Sequence, residues 1–187
     1  MTTKRQTPKI TIDFSEDGAS GGTGEGQGIV EADKLCVNKL KLKYSNSKRN
    51  KTGYKSKLWE AVMSDKPDEI PRIVKEEGVK ISEMNKCGVP LIHEAAFEGR
   101  TECVKVLLDC GANVNTPDAE DWTALHAAVL GGHIELVRLL IKKGANLYAQ
   151  TNDKYIPFHV AIEKNDEDII AVLVEEMSQL SVFNGRE

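Results

Sequence analysis

Three histidines recur at a fixed interval in the second half of the chain. His93, His126 and His159 are each 33 residues apart, and histidine is both the commonest metal ligand and the most frequent general base of enzymes. An equal interval, however, indicates successive copies of one structural unit rather than one cluster of side chains. Helices of stacked units lie roughly 8 to 10 Å apart, whereas a bond from nitrogen to zinc is about 2 Å long. We therefore predict that these histidines do not share a metal ion.

The other chemistry-bearing residues also give no catalytic pattern. The sequence contains no Ser-His-Asp order, no glycine-rich phosphate loop and no H-E-x-x-H motif. Cys103 and Cys110 are seven residues apart in a segment with helical periodicity, which places them about 10 Å apart along a helix and beyond the reach of a disulfide. We predict free thiols, no cofactor, no metal site and no enzymatic activity.

The length and composition fit one globular unit with a less ordered part. The chain has 187 residues, of which 40% are hydrophobic and 29% are charged, so it is too short for two large domains. No apolar run approaches the roughly 18 residues of a membrane-spanning helix, and the first residues hold no apolar block like that of a secretory signal. We expect a monomer of the cytoplasm, the nucleus or both.

The chain divides near residue 57 into two parts of opposite charge. Residues 1–57 hold 12 Lys and Arg against 6 Asp and Glu, and the remainder holds 13 against 23. Ser15 to Gly28 has no large apolar side chain, so no burial would offset the backbone entropy lost on ordering, about 1 to 2 kcal/mol per residue. Lys34 to Lys57 has nine basic residues and no acidic one. We predict a flexible, basic N-terminal region that orders only on a partner.

The residues after Lys57 repeat with a period of 33. The offset that relates the histidines also aligns apolar, small and acidic positions around them. Two segments carry the i, i+3, i+4 apolar spacing of an amphipathic helix, namely Val104, Leu107 and Leu108, and Val137, Leu140 and Ile141. Gly111 and Gly144 follow these segments, where a left-handed residue ends a helix. The period therefore predicts a stack of helical units with Leu107, Leu140 and Ile141 buried.

One stretch carries a recognisable pattern. It reads WTALHAA from Trp122, GHIELV from Gly132 and GANL from Gly144. The stretch resembles the ankyrin repeat, and the resemblance covers Leu58 to about Leu180. It implies an all-α solenoid with a turn and two antiparallel helices in each repeat. It also implies a structural role for the histidine, which bonds neighbouring turns.

The array is expected to contain four units. Two full repeats at 88–120 and 121–153 lie between degenerate capping units at 58–87 and 154–180, and residues 181–187 form a tail. The first unit has Trp59 in place of the histidine and Pro71 in its second helix, and the last has Met177 in place of the closing glycine. An interior proline costs about 3 kcal/mol outside the first turn of a helix, so the start of that helix stays open.

An ankyrin array implies protein binding at its concave side, where turn tips and first helices carry residues that the core does not need. The apolar residues expected at these places are Val89, Trp122 and Tyr155 on the tips, and Phe97 and Leu130 on the first helices. Exposed tryptophan and tyrosine are enriched among binding anchors. The alternative is that Trp122 and Tyr155 pack across adjacent tips. The acidic charge of the array favours a basic protein surface over nucleic acid.

The basic segment carries a second pattern. Lys41-Leu42-Lys43-Tyr44 resembles the motif by which myosin-phosphatase targeting subunits and related regulatory subunits dock to the catalytic subunit of protein phosphatase 1. Leu42 stands where Val or Ile is preferred and Tyr44 where Phe or Trp is preferred. The resemblance implies phosphatase regulation as an alternative function, with the segment docking along a sheet edge. A nucleic-acid or anionic-membrane tether through residues 34–57 is a further alternative, which the lack of a nucleic-acid module disfavours.

Overall fold

The computed structural model describes residues 56–85 and 88–184, and these residues form eight α-helices and no β-strand. The helices are Lys57–Met63 (α1), Glu69–Glu77 (α2), Leu91–Phe97 (α3), Thr101–Asp109 (α4), Ala124–Gly131 (α5), Ile134–Lys142 (α6), Pro157–Lys164 (α7) and Glu167–Asn184 (α8). Of the flexible region predicted for residues 1–57, residues 1–55 lie outside the described part. So does the whole of Lys41-Leu42-Lys43-Tyr44.

The helices pair into four units that stack in two layers. In the first-helix layer, α3 packs on α1, α5 on α3 and α7 on α5, and the even-numbered helices stack in the same order as a second-helix layer. Helix α5 lies between two neighbours, and its residues Ala124 to Leu130 are all buried. The stack of helical units predicted from the 33-residue period, and the all-α solenoid implied by the ankyrin resemblance, are confirmed.

The core follows the apolar spacing of the second helices. Leu107 of α4 and Leu140 of α6 are fully buried, as predicted. Ile141 is only half-buried and packs at the edge of the core. One helix pair of this size cannot bury its apolar face alone, so the interfaces between units supply the stability.

Helix ends explain how the degenerate first unit still folds. Pro71 is the third residue of α2, where a backbone N–H would have no partner within the helix, so the proline removes no hydrogen bond. Helix α2 then ends at Gly78, which has a φ of 62°. Gly111 and Gly144 also have positive φ, 100° and 85°, as predicted for residues that end α4 and α6.

The last helix is longer than the sequence predicted. Helix α8 continues to Asn184, four residues beyond the boundary that we expected at residue 180. Met177 stands where a glycine would end the helix, and nothing from there to Asn184 breaks helical backbone geometry. Neither α8 nor any other helix of the described residues is both long and apolar enough to cross a membrane.

Candidate partner-binding surface

A turn precedes the first helix of units two, three and four, and a polar side chain closes each turn. Side-chain oxygens of Asn85, Asp118 and Thr151 accept the backbone N–H of Val89, Trp122 and Tyr155 at 3.0, 3.0 and 3.1 Å. In each pair the N–H of the first residue also donates to the carbonyl of the second at 2.9 Å. These paired hydrogen bonds define three tip turns with the same geometry.

In each tip turn the residue before Val89, Trp122 or Tyr155 has a left-handed backbone. Gly88, Asp121 and Lys154 have φ values of 72°, 60° and 66°, a region that favours glycine and costs other residues roughly 1 to 2 kcal/mol. Asp121 and Lys154 are exposed. The fold therefore does not require a charge at this position, and the side chains there are available to determine what the surface binds.

His126 joins its unit to the next, and His93 bonds the loop that leads from its own unit to the tip turn of unit three. Nε2 of His93 lies 2.8 Å from the carbonyl oxygen of Thr116, and Nε2 of His126 lies 3.2 Å from that of Tyr155. Nδ1 of His126 accepts the N–H of Thr123 at 3.2 Å, so Nε2 carries the ring hydrogen and donates. The structural role implied by the resemblance is confirmed. Among the described residues no three His, Cys, Asp or Glu side chains are grouped to hold a metal.

His126 is fully buried beside Trp122. The two ring centroids are 5.1 Å apart with the planes at 52°. Burial lowers the pKa of His126 from 6.5 to about 4, although the hydrogen bond to Tyr155 opposes the shift. The imidazole is therefore neutral at neutral pH, as its hydrogen-bond pattern requires.

Trp59 replaces this histidine link in the first unit. Its indole N–H donates to Glu94 at 2.9 Å, and the other carboxylate oxygen of Glu94 accepts the side-chain amide of Asn85 at 2.8 Å. Glu94 is only 4% exposed. A carboxylate buried to this extent needs hydrogen-bond donors, and Trp59 and Asn85 provide them. The substitution seen in the sequence preserves a polar link between units one and two with different chemistry.

The five apolar residues predicted to bind a partner differ in exposure. Val89, Trp122 and Leu130 are at most 2% exposed, whereas Phe97 and Tyr155 are half-buried. The expectation that these residues are exposed is therefore wrong for Val89, Trp122 and Leu130. Trp122 packs against His126, and Leu130 lies on α5, which α3 and α7 cover. A binding role for Phe97 and Tyr155 stays a prediction.

A depression on α7 is a site that sequence reasoning missed. Tyr155, His159 and Ile162, with Lys154 and Glu163, line a cavity of about 260 Å³, which we call the end depression. The side chain of Ile162 is 47% exposed. The rings of Tyr155 and His159 meet edge to face, with centroids 5.8 Å apart.

Stacking order explains the exposure of Ile162. The equivalent residues of the two preceding units are Ala96 and Val129, and both are fully buried because a further unit packs beyond them. The described residues contain no unit beyond the fourth. The sequence did contain a signal for this site. Ile162 is apolar and lies in the register of Ala96 and Val129, but it belongs to the last unit of the stack.

One carboxylate, that of Glu163, lines this depression, and further acids lie along the tip turns. We call the tip turns and first helices of units two to four the inner surface. Its described residues that are at least partly exposed include two lysines, Lys154 and Lys164, and five acids, Glu98, Glu120, Asp121, Asp153 and Glu163, whereas Glu94 and Asp118 are buried. Lys164 donates to the carbonyl of Val129 at 3.1 Å, and its ammonium lies 4.0 Å from Oδ2 of Asp166, which compensates part of its charge. The inner surface is therefore acidic.

The described cysteines are free thiols, as predicted. Cys103 is fully buried, and its Sγ lies 3.5 Å from Oδ1 of Asp65. Burial, together with the hydrogen bond to Asp65, raises the pKa of Cys103 to about 12. Because the thiolate is the reactive form, Cys103 is a structural residue rather than a nucleophile.

Comparison with known proteins identifies related sequences. A family model described as "Ankyrin repeats (3 copies)" matches residues 58–151 and 92–184. The curated protein phosphatase 1 regulatory subunit 27 of Homo sapiens is 32% identical over 58 residues, which are 31% of this chain and 38% of that protein. The Mus musculus protein of the same name is 31% identical over the same share of each chain. The match thus spans less than half the length of these relatives.

Proposed function

This chain belongs to the ankyrin-repeat family, and we propose that it acts as a non-enzymatic adaptor that binds a protein partner through its inner surface. The observation that carries the proposal is the end depression, where Ile162 is exposed beside Tyr155 within an acidic surface. An apolar anchor site surrounded by charge is typical of a protein-binding surface.

The chemistry of the surface favours one class of partner. An apolar or aromatic side chain would enter the end depression, and basic residues on either side of it would lie near Glu163 and the tip carboxylates Asp121 and Asp153. Charge of this sign steers a basic partner and repels nucleic acid. We therefore expect a basic protein segment with at least one large apolar residue.

A pair of surface substitutions tests this proposal. Tyr155→Ala with Ile162→Ala removes the apolar part of the end depression, and we expect proteins captured from cell lysate by the wild type to be lost. Tyr148→Ala is a matched control, because Tyr148 is 49% exposed but lies outside the depression. Identical sets of captured proteins from all three baits would contradict the proposal. Trp122 is unsuitable for this test because it is buried.

Regulation of protein phosphatase 1 is a second candidate function. It is supported by the printed name of the two curated relatives and by Lys41-Leu42-Lys43-Tyr44. In this reading Leu42 and Tyr44 enter two pockets of the catalytic subunit while the main chain adds to a sheet edge. The array then selects the substrate or location of the phosphatase.

Titration of purified catalytic subunit tests the second candidate. Leu42→Ala with Tyr44→Ala keeps the charge of the segment, and it should abolish binding. Leu35→Ala with Tyr54→Ala removes the same residue types from the same segment and should leave binding intact. Failure of the wild type to bind at micromolar concentration would falsify phosphatase docking. Binding to RNA or acidic vesicles that survives the first pair and falls steeply with salt would favour the tether instead.

A further inference from the structure

The loops that follow the second helices also join neighbouring units. Asn115, in the loop after α4, bridges to the loop after α6. Its Nδ2 donates to the carbonyl of Gly144 at 3.0 Å, and its Oδ1 accepts the backbone N–H of Asn146 at 2.8 Å. One carboxamide thus supplies both a donor and an acceptor to the backbone of the next unit. This pairing shows which chemistry fits between two such loops.

The preceding pair of loops, after α2 and after α4, lacks this bridge. The 33-residue register places Ser82 at the position of Asn115. The same register places Gly111 and Asn113 at the positions of the two backbone partners. The serine side chain ends at its hydroxyl, short of the place where a carboxamide bonds. Among the described residues, the carbonyl of Gly111 and the backbone N–H of Asn113 have no hydrogen-bond partner.

A cavity of about 390 Å³ opens where the bridge is missing, and we call it the loop gap. Ser82, Gly111 and Asn113 line it, and one wall is apolar, with side chains that include Val79, Ile81 and Ile92. Lys80 also lines the gap; its side chain is exposed and forms no ion pair with a described residue. The loop gap therefore offers a donor and an acceptor for an amide, an apolar wall and one cation.

The N-terminal region joins the array beside this gap. Ser56 is the N-cap of α1, and its hydroxyl donates to Oε2 of Glu83 at 2.6 Å. The N–H of Glu83 in turn donates to the carbonyl of Lys80 at 3.0 Å, so Ser56 contacts the turn that contains Lys80. Residues 1–55 are therefore attached to the array next to the loop gap.

One segment of this N-terminal region matches the loop gap in chemistry. Gln27 supplies a carboxamide, Ile29 an apolar side chain and Glu31 a carboxylate. Their spacing of two residues places all three on one side of an extended chain, which spans about 13 Å from the first to the last. Stacked units are roughly 10 Å apart. Asn113 and Lys80 occupy the same register in adjacent units, so one extended segment can reach both.

The other carboxamides of the N-terminal region fit the gap less well. Three asparagines lie in the basic segment 34–57, whose charge Lys80 repels. Gln6 is followed four residues later by Ile10 rather than by an acid.

We propose that residues 27–31 of the same chain dock in the loop gap, where the carboxamide of Gln27 takes the place of the missing asparagine bridge. Its Nε2 donates to the carbonyl, and its Oε1 accepts the N–H, that line the gap in the loop after α4. Ile29 packs on the apolar wall, and Glu31 pairs with Lys80.

The tether favours this contact. Residues 32–55 separate Glu31 from Ser56, and a flexible chain of this length has a root-mean-square span of about 25 to 30 Å. The segment therefore reaches the turn next to Ser56 without being stretched. Its effective concentration there is on the order of millimolar, so even a weak contact is populated.

Docking holds residues 32–55 at both ends as a closed loop. This loop contains Lys41-Leu42-Lys43-Tyr44, so a protein that binds the tetrapeptide would meet it at the array rather than on a free tail. Only this consequence rests on the second candidate function, because the contact within the chain needs no partner.

Zero-length carbodiimide cross-linking of the full-length chain tests the charged part of the contact. The reagent joins an ammonium to a carboxylate that touches it, and peptide mapping identifies the products. We expect Glu31 to link to Lys80 in preference to Lys75 of α2 and Lys142 of α6, which are also exposed. Equal yields at the three lysines would overturn the proposal.

Two serine substitutions form a matched pair. Ser82 and Ser64 are both exposed, but only Ser82 lines the loop gap. Ser82→Asn supplies the bridge seen at Asn115, so it should displace the segment and lower the yield of the Glu31–Lys80 product roughly tenfold. Ser64→Asn should leave the yield unchanged. Equally high yields from the two variants would count against docking in the gap.

Ile29 and Val30 are adjacent residues that point to opposite sides of an extended segment. Ile29→Ser should therefore reduce the yield of the cross-linked product, and Val30→Ser should preserve it. Equal losses from the two substitutions would overturn the register in which the segment enters the gap.

Amide hydrogen exchange at Asn113 tests the carboxamide contact itself. We expect the N–H of Asn113 to exchange about tenfold more slowly in the wild type than in Gln27→Ala. Gln6→Ala is the matched control and should keep the slow rate. Adding Ser82→Asn to Gln27→Ala should restore protection, because the bridge then comes from the array. Equal rates in the wild type and Gln27→Ala would exclude the proposed bridge.

A mixture of ¹⁵N-labelled and unlabelled chains identifies the source of the segment. Docking within one chain gives cross-linked peptide pairs of a single isotope composition. Mixed pairs in proportion to the mixture would show that a second copy supplies the segment, and would overturn the intramolecular contact. Neither outcome depends on an external partner, so the proposed adaptor function can fail without affecting this test.

Discussion

His126 of unit three donates its Nε2–H to the carbonyl oxygen of Tyr155 in unit four, across 3.2 Å. The same ring accepts the backbone N–H of Thr123 through Nδ1. One neutral imidazole thus fixes the start of its own helix and the tip of the next unit. Protonation would convert Nδ1 from an acceptor to a donor and break the hydrogen bond from the N–H of Thr123.

We expect the stability of the array to fall with acid because of this histidine. The pKa of His126 is about 4 in the folded chain against 6.5 for an unperturbed histidine, so the unfolded chain binds the proton first. The contribution is complete above pH 6.5 and is lost as the pH falls towards 4, by about 3 kcal/mol in all. Urea unfolding at several pH values, with His126→Gln as a variant that cannot be protonated, measures it. Parallel pH profiles for the two proteins would contradict the assignment.

A second prediction compares two adjacent core positions on α6. Leu140→Ala should lower the free energy of unfolding by about 2 to 5 kcal/mol, because it leaves a cavity at a fully buried site. Ile141→Ala should cost less, since Ile141 is only half-buried and solvent can fill part of the space. Chemical denaturation followed by circular dichroism gives both values. A larger loss from Ile141→Ala would show that the interface between units is not where the structure places it.

The sequence predicted the fold well because one period determines many features at once. Spacing of 33 residues predicted a stack of helical units and the burial of Leu107 and Leu140, although not the partial exposure of Ile141, and the ends of the helical segments predicted the left-handed Gly111 and Gly144. It did not predict the end of α8, because nothing in a run of helix-compatible residues states where the helix stops. Nor did it decide the start of α2, since the effect of Pro71 depends on its distance from the first residue of the helix.

The site was less predictable, because exposure depends on neighbours rather than on residue type. Val89, Trp122 and Tyr155 occupy one register, yet the first two are buried and the third is half-buried. Ile162 occupies the register of buried Val129 but is exposed, since the described array ends with its unit. A repeat pattern treats successive units as equivalent, whereas the two ends of a stack are not.

Substitution of Trp122 should be a test of stability rather than of binding. Its side chain is 2% exposed and packs against the ring of His126, so Trp122→Ala should cost about 3 to 5 kcal/mol. Tyr155→Ala, in the same register but half-buried, should cost clearly less. Thermal and urea unfolding of the two variants decide the matter. Comparable losses would indicate that Tyr155 contributes to the core as much as Trp122 does.

The tip position at Asp121 should prefer glycine over a β-branched residue. Its φ of 60° is favourable for glycine and tolerated by aspartate. Asp121→Gly should leave stability unchanged or raise it slightly, while Asp121→Val should lower it by about 1 to 2 kcal/mol. Asp153 is exposed and does not have a positive φ, so there valine should be tolerated better than glycine. The same order of stabilities at both positions would contradict the tip geometry.

A final prediction separates backbone strain from steric contact at two glycines. Gly99 and Gly144 have φ values of 70° and 85°, so alanine is strained at both. At Gly144 an added Cβ would meet nothing within 4 Å, but at Gly99 it would lie 2.6 Å from Cε1 of His133. The ring of His133 cannot move away freely, since its Nε2 bonds the carbonyl of Phe97 at 2.9 Å.

We therefore expect Gly144→Ala to cost about 1 to 2 kcal/mol, the strain alone, and Gly99→Ala to cost more. Adding His133→Ala removes the obstructing ring, so Gly99→Ala should cost less in that background than in the wild type. A double-mutant cycle from urea unfolding of Gly99→Ala, His133→Ala and the combined variant measures this coupling. Additive losses would mean that the contact between Gly99 and His133 carries no energy, and the excess cost at Gly99 would then have to arise from its backbone.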